Sequence, residues 1–256
     1  MSGWALDIES TANPRLKTWL SLAKRAERDR SGTFLLEGRR ETERAAQHLD
    51  VQDLIWCPEY GDEPETNGPP PTTVSTRVFD KLSRRQNPDG IAAIARTPDM
   101  SLSSFEPTGV PLVLVADAIE KPGNIGAMLR SCDAFGAAFI GSSLATDLVN
   151  PNVIRSAQGS LFTTSLASVP RAEAIQWCAA NTDIVVAHPI GATSVWMSDM
   201  TSPTTVVIGS EHAGVHPQWL EFGAPTLIPM AGVADSLNAS VSAGVFLGEA
   251  ARQRSG

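Results

Sequence analysis

The chain of 256 residues holds only three cysteines, Cys57, Cys132 and Cys178, which are far apart and form no Cys-x-x-Cys pair. That excludes both a disulfide framework and a cysteine-based zinc site. Histidine is sparse too, with four residues in all: His188 precedes a proline, and His212 and His216 flank a glycine turn. With no convincing partner for any of them, no metal is expected. The chain lacks a run of eighteen apolar residues and a basic-then-apolar leader pattern, which predicts a cytoplasmic protein without a membrane segment. Internal repeats and low-complexity tracts are missing as well. Cations are scarce in the later part, where only Lys121, Arg130, Arg155, Arg171, Arg252 and Arg254 follow residue 100. Phosphate binding is supplied largely by Lys and Arg, so a net charge of -8 argues against nucleic-acid binding through overall charge.

What is present is ordinary globular composition, 42% apolar and 19% charged, at a length that fits one large or two modest domains. The basic residues gather near the start, where nine of them between Arg15 and Arg44 face five acids. They include Arg15, Lys17, Lys24, Arg25 and Arg39, a footprint suited to RNA, although its plainest reading on spacing alone is a solvated helix face. Asn13-Pro14 predicts a helix through Asp29 with Leu16, Leu20 and Ala23 on one side. A strand at 33–36, a helix at 38–49, a strand at 53–57, a Pro/Gly loop at 61–73, a short helix around 78–82 and a strand at 91–95 complete a small α/β unit. Residues 98–110, rich in Ser, Pro and Thr, read as a linker.

From Pro111 onward, apolar strands at 112–116, 138–140, 184–187, 205–208 and 226–228 are mostly separated by helix-length segments. That alternation predicts an α/β fold with a mainly parallel sheet and helices on both faces. The last helix is expected to open at Ser236 and is small or apolar almost all round until Glu249, so it is expected to be buried on most sides, partly by another subunit. Arg252 and Arg254 read as complements to its dipole.

Three stretches can carry chemistry. In the first, Asp117 to Arg130, Asn124 can cap a helix that runs to Gly136. Its glycines match neither Gly-x-Gly-x-x-Gly nor a P-loop. In the second, Val206 to Gly214, a strand breaks at Gly209 and carries Glu211 past its carboxyl end, where α/β sheets collect ligands. The third, Thr226 to Arg252, holds a Pro/Gly turn and the polar trio Ser236, Asn238 and Ser240.

Taken in order, Asn124-x-Gly126-x-x-x-Arg130, Ile208-Gly-Ser-Glu211-x-x-Gly214 and Ile228-Pro-Met230 with Ser236-Leu-Asn238-x-Ser240 resemble the three motifs of the SpoU (TrmH) RNA ribose 2'-O-methyltransferases of the SPOUT class. The likeness covers about residues 111–254. Asn13-Pro14-Arg15 and Phe34-Leu-Leu-Glu-Gly-Arg39 resemble that family's L30e-like extension. The implied organisation is an L30e-like RNA substrate-binding domain at 1–97, a linker at 98–110 and a SPOUT domain at 111–256 with a deep trefoil knot. The resemblance implies S-adenosyl-L-methionine held near Gly209, Ile228, Met230 and Leu237, and catalysis by Asn124, Arg130, Glu211, Ser236 and Asn238. Arg155, in a stretch similar to a family segment near the RNA, joins the RNA contacts. A homodimer acting on structured RNA is implied, 23S rRNA before tRNA. The competing readings are a tRNA methyltransferase, a catalytically inactive RNA-binding protein on this scaffold, and a nicotinamide-dependent dehydrogenase.

Overall fold

The computed structural model describes residues 5–191 and 193–255. The chain divides into two compact units, one of residues up to 98 together with Val149–Thr163, the other of Asp99–Leu148 with the residues from Thr164 onward.

In the first unit, α1 (Pro14–Ser21) opens where the Asn13 side-chain oxygen accepts from the Arg15 N–H at 2.8 Å, with Pro14 preset for the first turn. The single helix expected through Asp29 is two helices instead, α2 (Arg25–Ser31) following a break after Ser21. Arg28 accounts for the break. Its side chain is only 2% exposed and donates to the Leu22 and Ala23 carbonyls at 2.8 and 3.0 Å, pairing acceptors that α1 leaves open at its end. Then come β1 (Thr33–Glu37), α3 (Arg39–His48), β2 (Val51–Trp56), β3 (Thr72–Thr73), α4 (Thr76–Leu82) and β4 (Ile91–Arg96). The sheet order is β1-β4-β2-β3, with β4 antiparallel to both neighbours and β3 parallel to β2. Leu16, Trp19, Leu35, Ile55, Val78, Phe79 and Ile94 form its core, and Leu20 packs only at the margin.

The second unit is built on a seven-stranded parallel sheet. Its chain order is β5 (Leu112–Asp117), α5 (Pro122–Phe135), β6 (Ala138–Ser142), β7 (Leu166–Val169), α7 (Arg171–Asn181), β8 (Asp183–Ala187), β9 (Thr193–Ser194), β10 (Thr204–Ile208), β11 (Ala224–Leu227) and α8 (Ala239–Arg254), with α6 (Pro151–Ala157) falling between β6 and β7 in sequence but outside this unit. The spatial order is β7-β6-β5-β10-β8-β11-β9, and every pairing is parallel. Every residue of β5 is buried, as for a central parallel strand covered on both faces. The α6 segment belongs with the first unit, where Phe162 stacks on Phe34 at 6.3 Å and Gln158 accepts from Arg40 and Arg44 at 3.2 and 3.3 Å. The 98–110 stretch carries no helix or strand, yet Phe105 is buried in the sheet's core and meets Trp177 edge-on at 4.9 Å.

The last helix differs from its expected start. Ser236 lies outside it, and the cap is Asn238, whose side-chain oxygen accepts from the Ser240 N–H at 2.9 Å. Asn238 wins because its carbonyl oxygen reaches an open donor of the first turn from the position just before the helix. One side of α8, with Ala243, Phe246, Leu247 and Ala250, is buried, while Val241 is half exposed. Arg254 does more than complement the dipole. Its guanidinium donates to the carbonyls of Met200, Val110, Pro111 and Ser202 at 2.7, 2.8, 3.2 and 2.5 Å, fastening the end of α8 to the chain that enters β5 and β10.

Candidate active site

Three stretches separated by up to 114 residues meet at the carboxyl ends of β5 and β10. Asn124 does not cap its helix: Lys121 is the cap residue, and Asn124 is buried in the first turn of α5. Its amide nitrogen donates to Glu211 Oε1 at 2.5 Å, and its Oδ1 accepts from the Asn238 amide at 3.1 Å. Asn238 Nδ2 also approaches Glu211 Oε1 at 3.4 Å, while its Oδ1 takes hydrogen bonds from Ser240. The second carboxylate oxygen, Oε2, pairs with Lys121 Nζ at 3.2 Å. Burial pushes the Glu211 carboxyl up, but the hydrogen bonds from Asn124 and Lys121 and the Lys121 charge outweigh it and hold the group below its ordinary value. Glu211 is therefore an ionised acceptor in a closed network, with each amide oriented by its partners.

Beside this network lies a cavity of about 630 Å³, within the range of about 300–1,000 Å³ typical of small-ligand clefts. The cofactor residues expected from the sequence, Gly209, Ile228, Met230 and Leu237, all line it, as do Glu211 and Ser236. Glycine is required at 209. A Cβ there would collide with the backbone of Gly214 and Val215, across the tight turn closed by the Ser210–Gly214 bridge. From Ile228 to Leu237 no main-chain group is engaged in a backbone hydrogen bond among the described residues. This wall thus offers free N–H and C=O groups alongside the apolar Ile208, Leu227 and Phe246. That donor set fits S-adenosylmethionine, whose adenine needs a dry slot and whose polar groups need main-chain partners.

Arg130 is not in this assembly. It is exposed on α5, outside the cavity lining, with no hydrogen bond or ion pair among the described residues. Of the cations read as RNA contacts, Arg15 pairs with Asp53 at 2.6 Å and stacks over Trp19, and Arg25 faces Asp29 at 3.6 Å. Arg39 holds Glu43 and the carbonyls of Asp62 and Glu63. Arg155 bonds within its helix, to Asn152 at 3.2 Å, and Lys17 and Lys24 are exposed. The thiols of Cys57 and Cys178 are pushed up to about 12 by burial and Cys132 higher still, so none is a nucleophile.

Sequence reasoning missed two features. Lys121, just before α5, has no sequence signal that sets it apart from the other late cations. Asp117, 1% exposed, accepts from Arg171 at 2.9 Å, Ser142 at 2.8 Å and the His216 N–H at 3.2 Å. It ties the loop after β10 to the end of β5. The available signal was a carboxylate closing an all-apolar strand.

Residues 111–248 match the SpoU rRNA Methylase family. The chain belongs to that family. Asn124, Glu211 and Asn238, which the hydrogen bonds bring together, all lie within the matched residues. Residues 13–93 match the MRM3-like substrate binding domain. The chain is 32% identical to the 23S rRNA (uridine(2479)-2'-O)-methyltransferase of Streptomyces viridochromogenes, over 96% of this chain and 92% of that one. A crystal structure of an RNA 2'-O ribose methyltransferase superposes with a TM-score of 0.83 at 40% identity, covering 96% and 98% of the two chains. The SpoU methyltransferase AviRb from Streptomyces viridochromogenes, solved in complex with AdoMet, gives 0.83 at 31% identity, covering 94% and 98%.

Proposed function

We propose that this SpoU methylase transfers a methyl group from S-adenosylmethionine to a ribose 2'-hydroxyl of 23S rRNA. The observation that carries the reading is the union of Asn124, Glu211 and Asn238 by hydrogen bonds at the mouth of a glycine-built cavity. A catalytically inactive RNA-binding protein has no use for such a network, and a nicotinamide-dependent dehydrogenase is foreign to this family.

S-adenosylmethionine supplies the activated methyl group. The remaining work falls to the chain: to hold the ribose in line, to manage the hydroxyl proton and to exclude water. Gly209, Ile228, Met230 and Leu237 hold the cofactor. Asn124 and Asn238, fixed through Glu211, orient the ribose, and the Ser236 hydroxyl supplies a further hydrogen bond at the cavity wall. Arg130 clamps the neighbouring phosphate, since a guanidinium stays charged and offers a planar fork. The domains divide near residues 97 and 111; the N-terminal one grips folded RNA through Lys17 and Lys24, with Arg15, Arg25 and Arg39 exchanging their acidic partners for phosphate, and Arg155 adds a contact from beyond the linker. The protein is cytoplasmic; among the described residues no helix is long and apolar enough to cross a membrane.

The enzyme acts as a homodimer, a reading supported by the half-exposed Val241 on α8 and Phe135 at the end of α5, apolar surface that a second copy would cover. The C-terminal segment is knotted. The support is topological: β11 lies beyond β8 from β10, and α8 returns from it to pack on α5 and β5. Incubation of the protein with tritiated S-adenosylmethionine and 23S rRNA, followed by mapping of the methylated ribose, tests the central reading. Label on one ribose is expected; label on a base, or on tRNA alone, would overturn it.

A further inference from the structure

The charge of the chain is unevenly placed. The second unit holds five basic residues, Lys121, Arg130, Arg171, Arg252 and Arg254, against thirteen acids, which accounts for the whole net charge of -8. A polyanion approaching this unit meets a net negative charge, and the cavity lining adds Glu211, held ionised, and Asp235. Three of the five cations are already committed. Arg171 is bound to the buried Asp117 at 2.9 Å. Arg252 makes a two-pronged contact with Glu249 at 2.8 and 2.7 Å, and Arg254 is spent on four backbone carbonyls. Arg130 and Lys121 remain. Of these, only Lys121 touches the network of Asn124, Glu211 and Asn238: it is 68% exposed, stands just before α5 and reaches the Glu211 carboxylate at 3.2 Å.

We propose that Lys121 is a substrate-binding residue of this site, the cation that carries an RNA phosphate next to the target ribose past Glu211. The inference rests on the proposed rRNA methylation. An ion pair whose lysine is solvent-exposed is weak, so breaking or sharing it costs little when a phosphate arrives. The ammonium is a compact charge with three rotatable donors, so it can face the carboxylate and a phosphate oxygen at once. Without it, phosphate and carboxylate face each other unscreened, and the approach of RNA is opposed where the ribose must be held closest.

The test uses the full chain, a 23S rRNA fragment and two variants, Lys121→Gln and Lys121→Arg. RNA affinity is measured by fluorescence anisotropy across a salt series, and S-adenosylmethionine affinity by calorimetry. In Lys121→Gln the slope of log K against log salt should fall by about 0.7–0.9, one phosphate contact. Affinity for the fragment should drop at least fivefold at low salt, with S-adenosylmethionine binding within twofold of the parent and Lys121→Arg close to the parent in both. An unchanged slope and affinity in Lys121→Gln would overturn the proposal. A weakened S-adenosylmethionine affinity with unchanged RNA binding would also overturn it, by making Lys121 a support for Glu211 alone. The binding readouts need no turnover, so a parent that binds RNA but transfers no methyl group would count against the proposed function and not against this contact.

Discussion

The two units solve opposite electrostatic problems. The first is balanced, with fifteen basic and fifteen acidic residues, and many of its arginines are occupied: Arg15 with Asp53, Arg30 with Glu27, Arg85 with Glu41 and Arg96 with Asp50. The second is strongly acidic and keeps its motif carboxylate ionised inside a ring of amides and one lysine. The comparison teaches that the basic footprint legible in the first hundred residues is partly spent on fold. It teaches too that the acidic catalytic unit depends on a few placed cations rather than on its overall field.

The sharpest way to break the comparison is at the network. Asn124→Ala should lower single-turnover methyl transfer by about a hundredfold or more, with S-adenosylmethionine affinity within twofold, because it removes a preorganised group without touching the cavity wall. Asp117→Ala leaves the half-buried Arg171 guanidinium without its carboxylate and should cost about 3–5 kcal/mol, read as a lowered urea midpoint at unchanged slope. Gly209→Ala places a methyl group against the Gly214 backbone and should weaken S-adenosylmethionine binding about tenfold or more, measured by calorimetry. At the mild end, Arg15→Ala in the balanced unit should change stability by less than about 1 kcal/mol, since its pair with Asp53 is largely exposed.

Acid titration probes the network of the second unit. The Glu211 carboxyl ionises below its ordinary value of 4.5, so its contribution is complete above that pH and is lost as pH falls through the depressed value. Rate profiles between about pH 5 and 8 should therefore carry no ionisation from Glu211. A Glu211→Gln variant that shifts the acid limb within that window would contradict the network drawn here.

How far the sequence foretold this depends on the kind of signal. The strands around β5, β8 and β10 were legible because continuous apolar runs bounded by turns are what buried parallel strands require. β7, four residues with a serine, and the two-residue β9 and β3 were too short to register, and pairing alone defines them. The break between α1 and α2 was hidden because Arg28 has the spacing of a solvated face, whereas tertiary carbonyls recruit it inward. At the site, the three ordered motifs pointed to Asn124, Glu211 and Asn238. Lys121 and Asp117 escaped notice because their importance lies in what faces them across the fold, which local spacing does not encode.

Arg254 fixes the last turn of α8. A guanidinium that clasps four carbonyls stays protonated at any pH the protein meets, and it has no single counterpart whose removal would release it. The terminal helix is therefore buttoned at one end by an acid-insensitive fastener, while its other end opens onto the unpaired cavity wall. Denaturation should peel the molecule from the ligand side first, so hydrogen exchange should find the wall the earliest part to open and the buttoned end among the last.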